Sequence, residues 1–175
     1  MISYAGIGSR DILPNEEVQI KIIAKKMARL NFILYSGNAD GSDIAFQNGS
    51  NAQCVLMLPW KKFNNESYST TACIEALDMG GSADGLSSIM KFHPNAAALT
   101  DGVRRIMARN YHQVMGYGKW PVVSFVICCS NEVNGNVIGG TGQAVRIAKS
   151  RNIPVFNIRT KGWGEALGAF IKTLK

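Results

Sequence analysis

The feature that most constrains this chain is a repeated order: a short apolar run, a glycine-bearing break, then a segment with apolar residues at helical spacing. Ile2 to Ala5 runs into Gly6, Gly8 and Ser9; behind Pro14, a residue tolerated at a helix start, Val18, Ile22, Ile23, Met27 and Leu30 recur with helical period. Phe32 to Tyr35 breaks at Ser36-Gly37, Ser42 or Asp43 can cap a short helix reaching about Asn48, and Gly49 fits its end. Cys54 to Leu58 stops at Pro59. Residues 101–115 carry an apolar stripe of Val103, Ile106, Met107, Tyr111, Val114 and Met115. Val122 to Cys129 is apolar throughout, as a central parallel strand covered on both faces should be. A polar, glycine-rich loop from Asn131 to Gly142 leads into a helix from Ala144 to Lys149. Ile153 to Ile158 reads as another strand and Glu165 to Leu174 as a closing helix. Strands alternating with helices predict an α/β fold, a Rossmann-like three-layer α/β/α arrangement around a mainly parallel sheet with right-handed crossovers.

Residues 59–99 are less regular. Lys61, Lys62, Asn64, Asn65 and Ser67 suggest a loop, Thr70 to Leu77 a helix, and Asp78 to Gly85 a break. The stretch is too short for a core of its own, so it is expected to be an insertion or lid on a single domain spanning residues 1–175. With 46% hydrophobic residues the chain can build a core without metal or disulfide staples. Cys54, Cys73, Cys128 and Cys129 form no CxxC pair, and only two histidines accompany them, so no metal site is expected. Reduced core cysteines and a start without the pattern of a secretory signal favour a cytoplasmic location. No run of about 18 apolar residues is present, which argues against a membrane span. The formal net charge of +7 favours anionic partners.

In parallel sheets the ligand lies outside the carboxyl ends of the strands, and three loops are expected there. Gly8, Ser9 and Arg10 combine close backbone approach with a guanidinium that forks onto phosphate or carboxylate. Ser36, Gly37, Asn38, Asp40 and Asp43 end at a helix start, where free N–H groups attract anions; for Asp43, capping is the plainer role. Gly139, Gly140, Thr141 and Gly142 feed the next helix in the same way, with Thr141 either capping it or touching the ligand. Asn131 and Glu132 follow the 122–129 strand toward the same crevice. Arg105, Arg109 and His112 share one helix face and could reach a phosphate or a nucleic-acid backbone, with a solvated face the plainer reading, while His93, in a loop, is weaker as a ligand-binding candidate. Trp60, Phe63 and Tyr68 could stack on a base or simply pack.

Gly8-Ser9-Arg10 and the run from Ser36 through Phe46 resemble two signatures of the Rossmann domain of DNA-processing protein A. Gly139-Gly140-Thr141-Gly142 resembles the glycine motif of the LOG-type cytokinin-activating hydrolases. Together these make up the SLOG superfamily. The resemblance extends from the first strand to about Asn157 and is weak across residues 60–120. It implies a Rossmann-like fold that receives nucleotides, nucleotide-derived signals or single-stranded DNA, commonly as a homo-oligomer; no cofactor is expected.

One departure bears on catalysis. Where the LOG-type hydrolases continue with Thr and, three residues later, a catalytic Glu, this chain has Gln143 and Arg146. An arginine stays protonated and cannot serve as a base. Cleaving an N-glycosidic bond calls for a carboxylate, and Asp40, Asp43 or Glu132 could substitute. The leading expectation is therefore capture of a nucleotide or nucleotide-derived signalling molecule without turnover. A nucleoside-phosphate N-glycosidase and a single-stranded DNA binder are the alternatives.

Overall fold

The computed structural model describes residues 1–65 and 73–174, Asn65 by its backbone alone. A six-stranded sheet holds β1 (Ser3–Gly8), β2 (Ile33–Ser36), β3 (Cys54–Leu58), β4 (Glu75–Asp78), β5 (Phe125–Cys129) and β8 (Val155–Asn157) in the order β4-β3-β2-β1-β5-β8. Every neighbouring pair in it is parallel. The chain steps outward from β1 to β4, then crosses back to lay β5 beside β1. That reversal opens a crevice at the carboxyl ends of β1 and β5.

Alternating side chains send the two faces of each strand into different cores. On one face, Tyr4, Leu34, Leu56, Phe125 and Ile127 meet Ile20 and Met27 of α1 (Pro14–Arg29), Phe46 of α2 (Ser42–Gly49) and Leu167 of α6 (Trp163–Thr173). On the other, Ala5, Tyr35, Val55, Val126 and Cys128 meet Val114 of α4 (Asp101–Met115) and Val145 and Ala148 of α5 (Gly139–Ser150). The α/β/α layering expected from the sequence is therefore the observed architecture. All of Phe125–Cys129 is buried, as the continuous apolar run required. Burial pushes the Cys128 thiol up to about 12, consistent with a cysteine serving as a small core residue.

Between residues 73 and 92 the fold departs from what the sequence leads one to expect. Glu75–Asp78 is an edge strand in register with Val55 to Leu58 of β3, although Glu75 to Leu77 were expected in a helix and Asp78 in the break after it. Glu, Ala and Leu favour helix intrinsically, but pairing along an open sheet edge overrides that preference. Residues 70–72 of the expected helix and Tyr68 lie outside the described residues. The glycines read as a break instead lead into α3 (Ala83–Phe92), which packs on α4. Ser82 caps α3 by accepting from the Gly85 amide, and a Cβ on Gly85 would meet the Ala108 carbonyl at 2.6 Å. Gly85 is therefore a close-packing glycine.

Asn131–Gly142 also differs from the loop expected. Glu132–Val133 (β6) and Asn136–Val137 (β7) pair as a hairpin around Asn134-Gly135, both at positive φ, as the right-handed twist of a tight hairpin demands. Gly139 to Gly142 then form the first turn of α5.

Candidate functional site

A cavity of about 380 Å³ lies at the carboxyl ends of β1 and β5. Gly8, Ser9 and Arg10 line it from the first loop, and Asp43 with Ala39 from the second. Gly139, Gly140 and Thr141 contribute from the start of α5, and Ser130 and Asn131 from the end of β5. Three of the expected loops thus reach one hollow, though not with every residue nominated.

Arg10 is exposed and makes no hydrogen bond or ion pair among the described residues. The α5 N-cap is Ile138, with no side-chain cap, so Thr141 is not a capping residue. The Gly139, Gly140 and Thr141 amides precede any intrahelical acceptor and sit at the positive end of the helix dipole. This is the part of the cavity wall best suited to an anion.

The second loop works differently from the expectation. Two of its amides are already used: Gly37 and Ala39 both donate to Asp43 Oδ2, at 3.2 and 3.3 Å. The Ser9 amide is likewise taken by the Cys129 carbonyl. Asp43 therefore folds the loop rather than capping α2, whose N-cap is Gly41. Gly41 stands at φ 73 against the Arg10 carbonyl, a place where only glycine fits without strain. Ser42 ties this turn to the first loop, its amide and hydroxyl both donating to the Ser9 carbonyl at 3.0 Å.

Ser36, Gly37, Asn38, Asp40, Glu132 and Gly142 do not line the cavity. Ser36 donates to the Asp43 carbonyl and accepts from Gln47, inside the fold. Asn38 donates to the Phe63 carbonyl, and Asp40 accepts from Asn64. Gly142 packs against the Val137 carbonyl. Glu132 Oε1 accepts from Asn157 and Thr160 and faces a separate cavity of about 300 Å³ beside Trp163. Trp60 and Phe63 pack edge to face, 5.0 Å apart, away from the main cavity. His93 ends α3 and accepts from the Asn95 amide.

The floor comes from α4, which the sequence reading treated as a solvated face. Arg105 is exposed, but Arg109 and His112 are buried because α4 lies between the sheet and α3. His112 Nε2 sits 2.6 Å from Ser82 Oγ, fastening α4 to α3. Arg109, 4% exposed, lies 3.5 Å from Asp43 Oδ2 and donates to Gln113 Oε1. Gly37 lacks a Cβ where the guanidinium passes, so a side chain there would collide with Arg109. Burial pushes the Asp43 carboxyl above its ordinary value, against the pull of Arg109 and the two amides.

Several donors near this floor lack acceptors among the described residues: Arg109 Nε, Gln113 Nε2 and Gln143 Nε2. Arg109 and Gln113 line the cavity; Gln143 stands behind it, its Oε1 accepting from Asn110. Buried polar atoms without partners are rare and call for an explanation, such as an unseen ligand or water. The available signal was the pair Arg109 and Gln113, one turn apart beside the apolar stripe of a helix. Arg146, at the position of the expected catalytic carboxylate, donates to the Phe92 carbonyl and does not line the cavity.

No protein-family model matches the chain, and no curated protein matches it. Solved structures do. DNA processing protein A from Helicobacter pylori, described by its single-stranded DNA binding, superposes with a TM-score of 0.59 at 17% identity, covering 96% of this chain and 72% of that one. The structural-genomics target TM1055 gives 0.56 at 15% identity, covering 95% and 80%. The molybdenum cofactor carrier protein of Chlamydomonas gives 0.53 at 14% identity, covering 99% and 86%. At these identities the likeness establishes the fold. The chain has the Rossmann-like α/β fold of these proteins.

Proposed function

We propose that the cavity at β1 and β5 binds a nucleotide or nucleotide-derived molecule through its phosphate and does not turn it over. The observation that carries this reading is the surplus of donors: Arg109 Nε and Gln113 Nε2 without acceptors at the floor, Arg10 at the mouth and the uncapped start of α5 beside them. A phosphate supplies several acceptor oxygens and a charge to match. Ile7, Ile106, Met107 and Ile138 give the apolar surface that a base or sugar would cover.

What supports binding without turnover is where the nominated carboxylates lie. Asp40 and Glu132 lie outside the cavity, and Asp43 is engaged by two amides and Arg109. None is free to activate water over a ligand. A carrier protein on the same fold is a precedent for binding as the whole task.

The test is incubation of the purified protein with a panel of nucleotides, followed by chromatography and by mass spectrometry of the protein-bound fraction. Retained, unchanged nucleotide is expected; steady release of free base contradicts the proposal. Single-stranded DNA is the second reading, favoured by the exposed Arg10 and the net charge of +7. Its mark would be affinity that falls steeply with salt. No mobility shift at low salt removes it.

A further inference from the structure

Arg159, just beyond β8, makes a cluster of contacts behind the cavity that the proposed function does not use. Its Nε donates to Glu16 Oε1 at 2.7 Å and its Nη2 to Glu16 Oε2 at 2.8 Å, a bidentate fork. Nη2 also reaches the Asp11 carbonyl at 3.2 Å, and Nη1 donates to Asn131 Oδ1 at 2.8 Å. Glu16 is fixed in turn, because its Oε2 accepts from the Leu13 amide at 2.8 Å. One guanidinium thereby joins the first loop, the start of α1 and the segment after β5.

The consequence falls on Asn131. A guanidinium only donates, so the Asn131 atom facing Arg159 must be its carbonyl oxygen. Asn131 lines the cavity and Arg159 does not. The amide is therefore locked with its oxygen held from behind and its NH₂ group left to donate elsewhere. Gln113 repeats the logic at the floor: Arg109 holds its Oε1, and its Nε2 has no partner. Two arginines, one on each side, thus give two neutral side chains the same polarity.

We infer that Arg159, anchored by Glu16, is a positioning residue that fixes Asn131 as a hydrogen-bond donor to the ligand, so that the site selects for an acceptor-only group at that point. The inference rests on the reading of the cavity as a phosphate site. An oxyanion satisfies such a wall fully, whereas a ligand group that must itself donate meets no acceptor on Asn131.

The test is a double-mutant cycle at positions 131 and 159, read by calorimetric titration of adenosine monophosphate and inorganic phosphate. Asn131→Asp keeps the shape and pairs with Arg159 but has nothing to donate; affinity for both probes is expected to fall about tenfold or more, with an unchanged or raised melting temperature. Arg159→Gln is expected to weaken binding a few-fold in the Asn131 background and to add nothing once Asn131 is alanine. Arg159→Lys, which keeps a charge beside Glu16 but cannot serve all its contacts at once, should recover stability without recovering affinity. Additive losses at the two positions, or an Asn131→Asp protein that binds phosphate as well as the wild type, would overturn the assignment.

Failure of the underlying site reading looks different. Wild-type protein that binds neither probe overturns the phosphate reading and, with it, the ligand role of Asn131. The clasp is still decided in ligand-free protein by the Asn131 side-chain amide signals in ¹H–¹⁵N NMR. They are expected to move in Arg159→Gln, and signals that stay in place overturn the positioning role.

Discussion

Two arginine–carboxylate pairs flank the cavity, and they are built in opposite ways. Arg159 and Glu16 meet at 2.7 Å, with side chains 22% and 11% exposed, and the guanidinium directs its donors onto several named acceptors. Arg109 and Asp43 are buried more deeply, 5% and 4% exposed, yet stand 3.5 Å apart, with the Arg109 Nε left over. Hydrogen bonding by Arg159 holds the Glu16 carboxyl down at about 2, while burial pushes that of Asp43 up. The tight pair is a finished structural clasp. The loose pair carries the cost of burial without complete pairing, which is how a charge held ready for a ligand differs from one spent on the fold.

The sharpest way to break this contrast is to remove the floor cation. Arg109→Met leaves Asp43 buried without its partner, and a loss of about 3–5 kcal/mol is expected in urea unfolding. Nucleotide binding should vanish in whatever fraction remains folded. Adding Asp43→Asn should restore much of the stability but not the binding. Recovered binding in the double variant would show that Arg109 serves only to neutralise Asp43.

Acid unfolding separates the pairs by sign. Glu16 has a folded value depressed from 4.5 to about 2, so its contribution is present above the ordinary value and is lost as pH falls through that interval. Its size is roughly 3 kcal/mol at most. Asp43 is shifted upward, so its contribution is greatest below the ordinary carboxyl range and declines as pH rises through its folded value. Glu16→Gln should therefore lower stability at neutral pH and flatten the acid limb. A variant that keeps the wild-type acid limb would show that the fork is not what responds to acid.

A smaller loss is expected from Gly37→Ala. The added methyl group meets the Arg109 guanidinium, and overpacking of this kind costs about 1–3 kcal/mol. Nucleotide affinity should drop because the guanidinium is displaced. The smallest effect concerns catalysis. Arg146→Glu puts a carboxylate at the position where the LOG-type motif has one, but this side chain faces the Phe92 carbonyl, so no free base should appear in a nucleotide assay. Base release by that variant would move the catalytic geometry back into play.

The halves of this site were unequally legible in the sequence. Gly8-Ser9-Arg10 and Gly139-Gly140-Thr141 announced themselves because backbone turns need glycine and anions need amides, and both line the cavity. Arg109 was singled out but read as solvated, and Asn110 and Gln113 were passed over, because a polar residue on a helix has no local mark of burial. Only α3, packed over α4, decides it, and α3 itself was masked by Gly80, Gly81 and Gly85. The same lack of tertiary information put Glu75 to Leu77 in a helix and made a loop of the β6–β7 hairpin, where Asn134-Gly135 was a usable signal left unread. Asp40 and Glu132 were nominated for their chemistry, and their distance from the cavity is set by turns that no short motif encodes. The sheet was the easiest part, since an unbroken apolar strand such as Phe125–Cys129 has few alternatives to a central position.

The most direct measurement is a crystal structure of the protein grown with a nucleoside monophosphate. The phosphate is expected between Arg10, the first turn of α5 and the Arg109–Gln113 floor, at the crevice between β1 and β5, with Asn131 donating to it. A nucleotide seated instead beside Glu132 and Trp163, or a main cavity that stays filled with water alone at saturating ligand, would contradict the assignment.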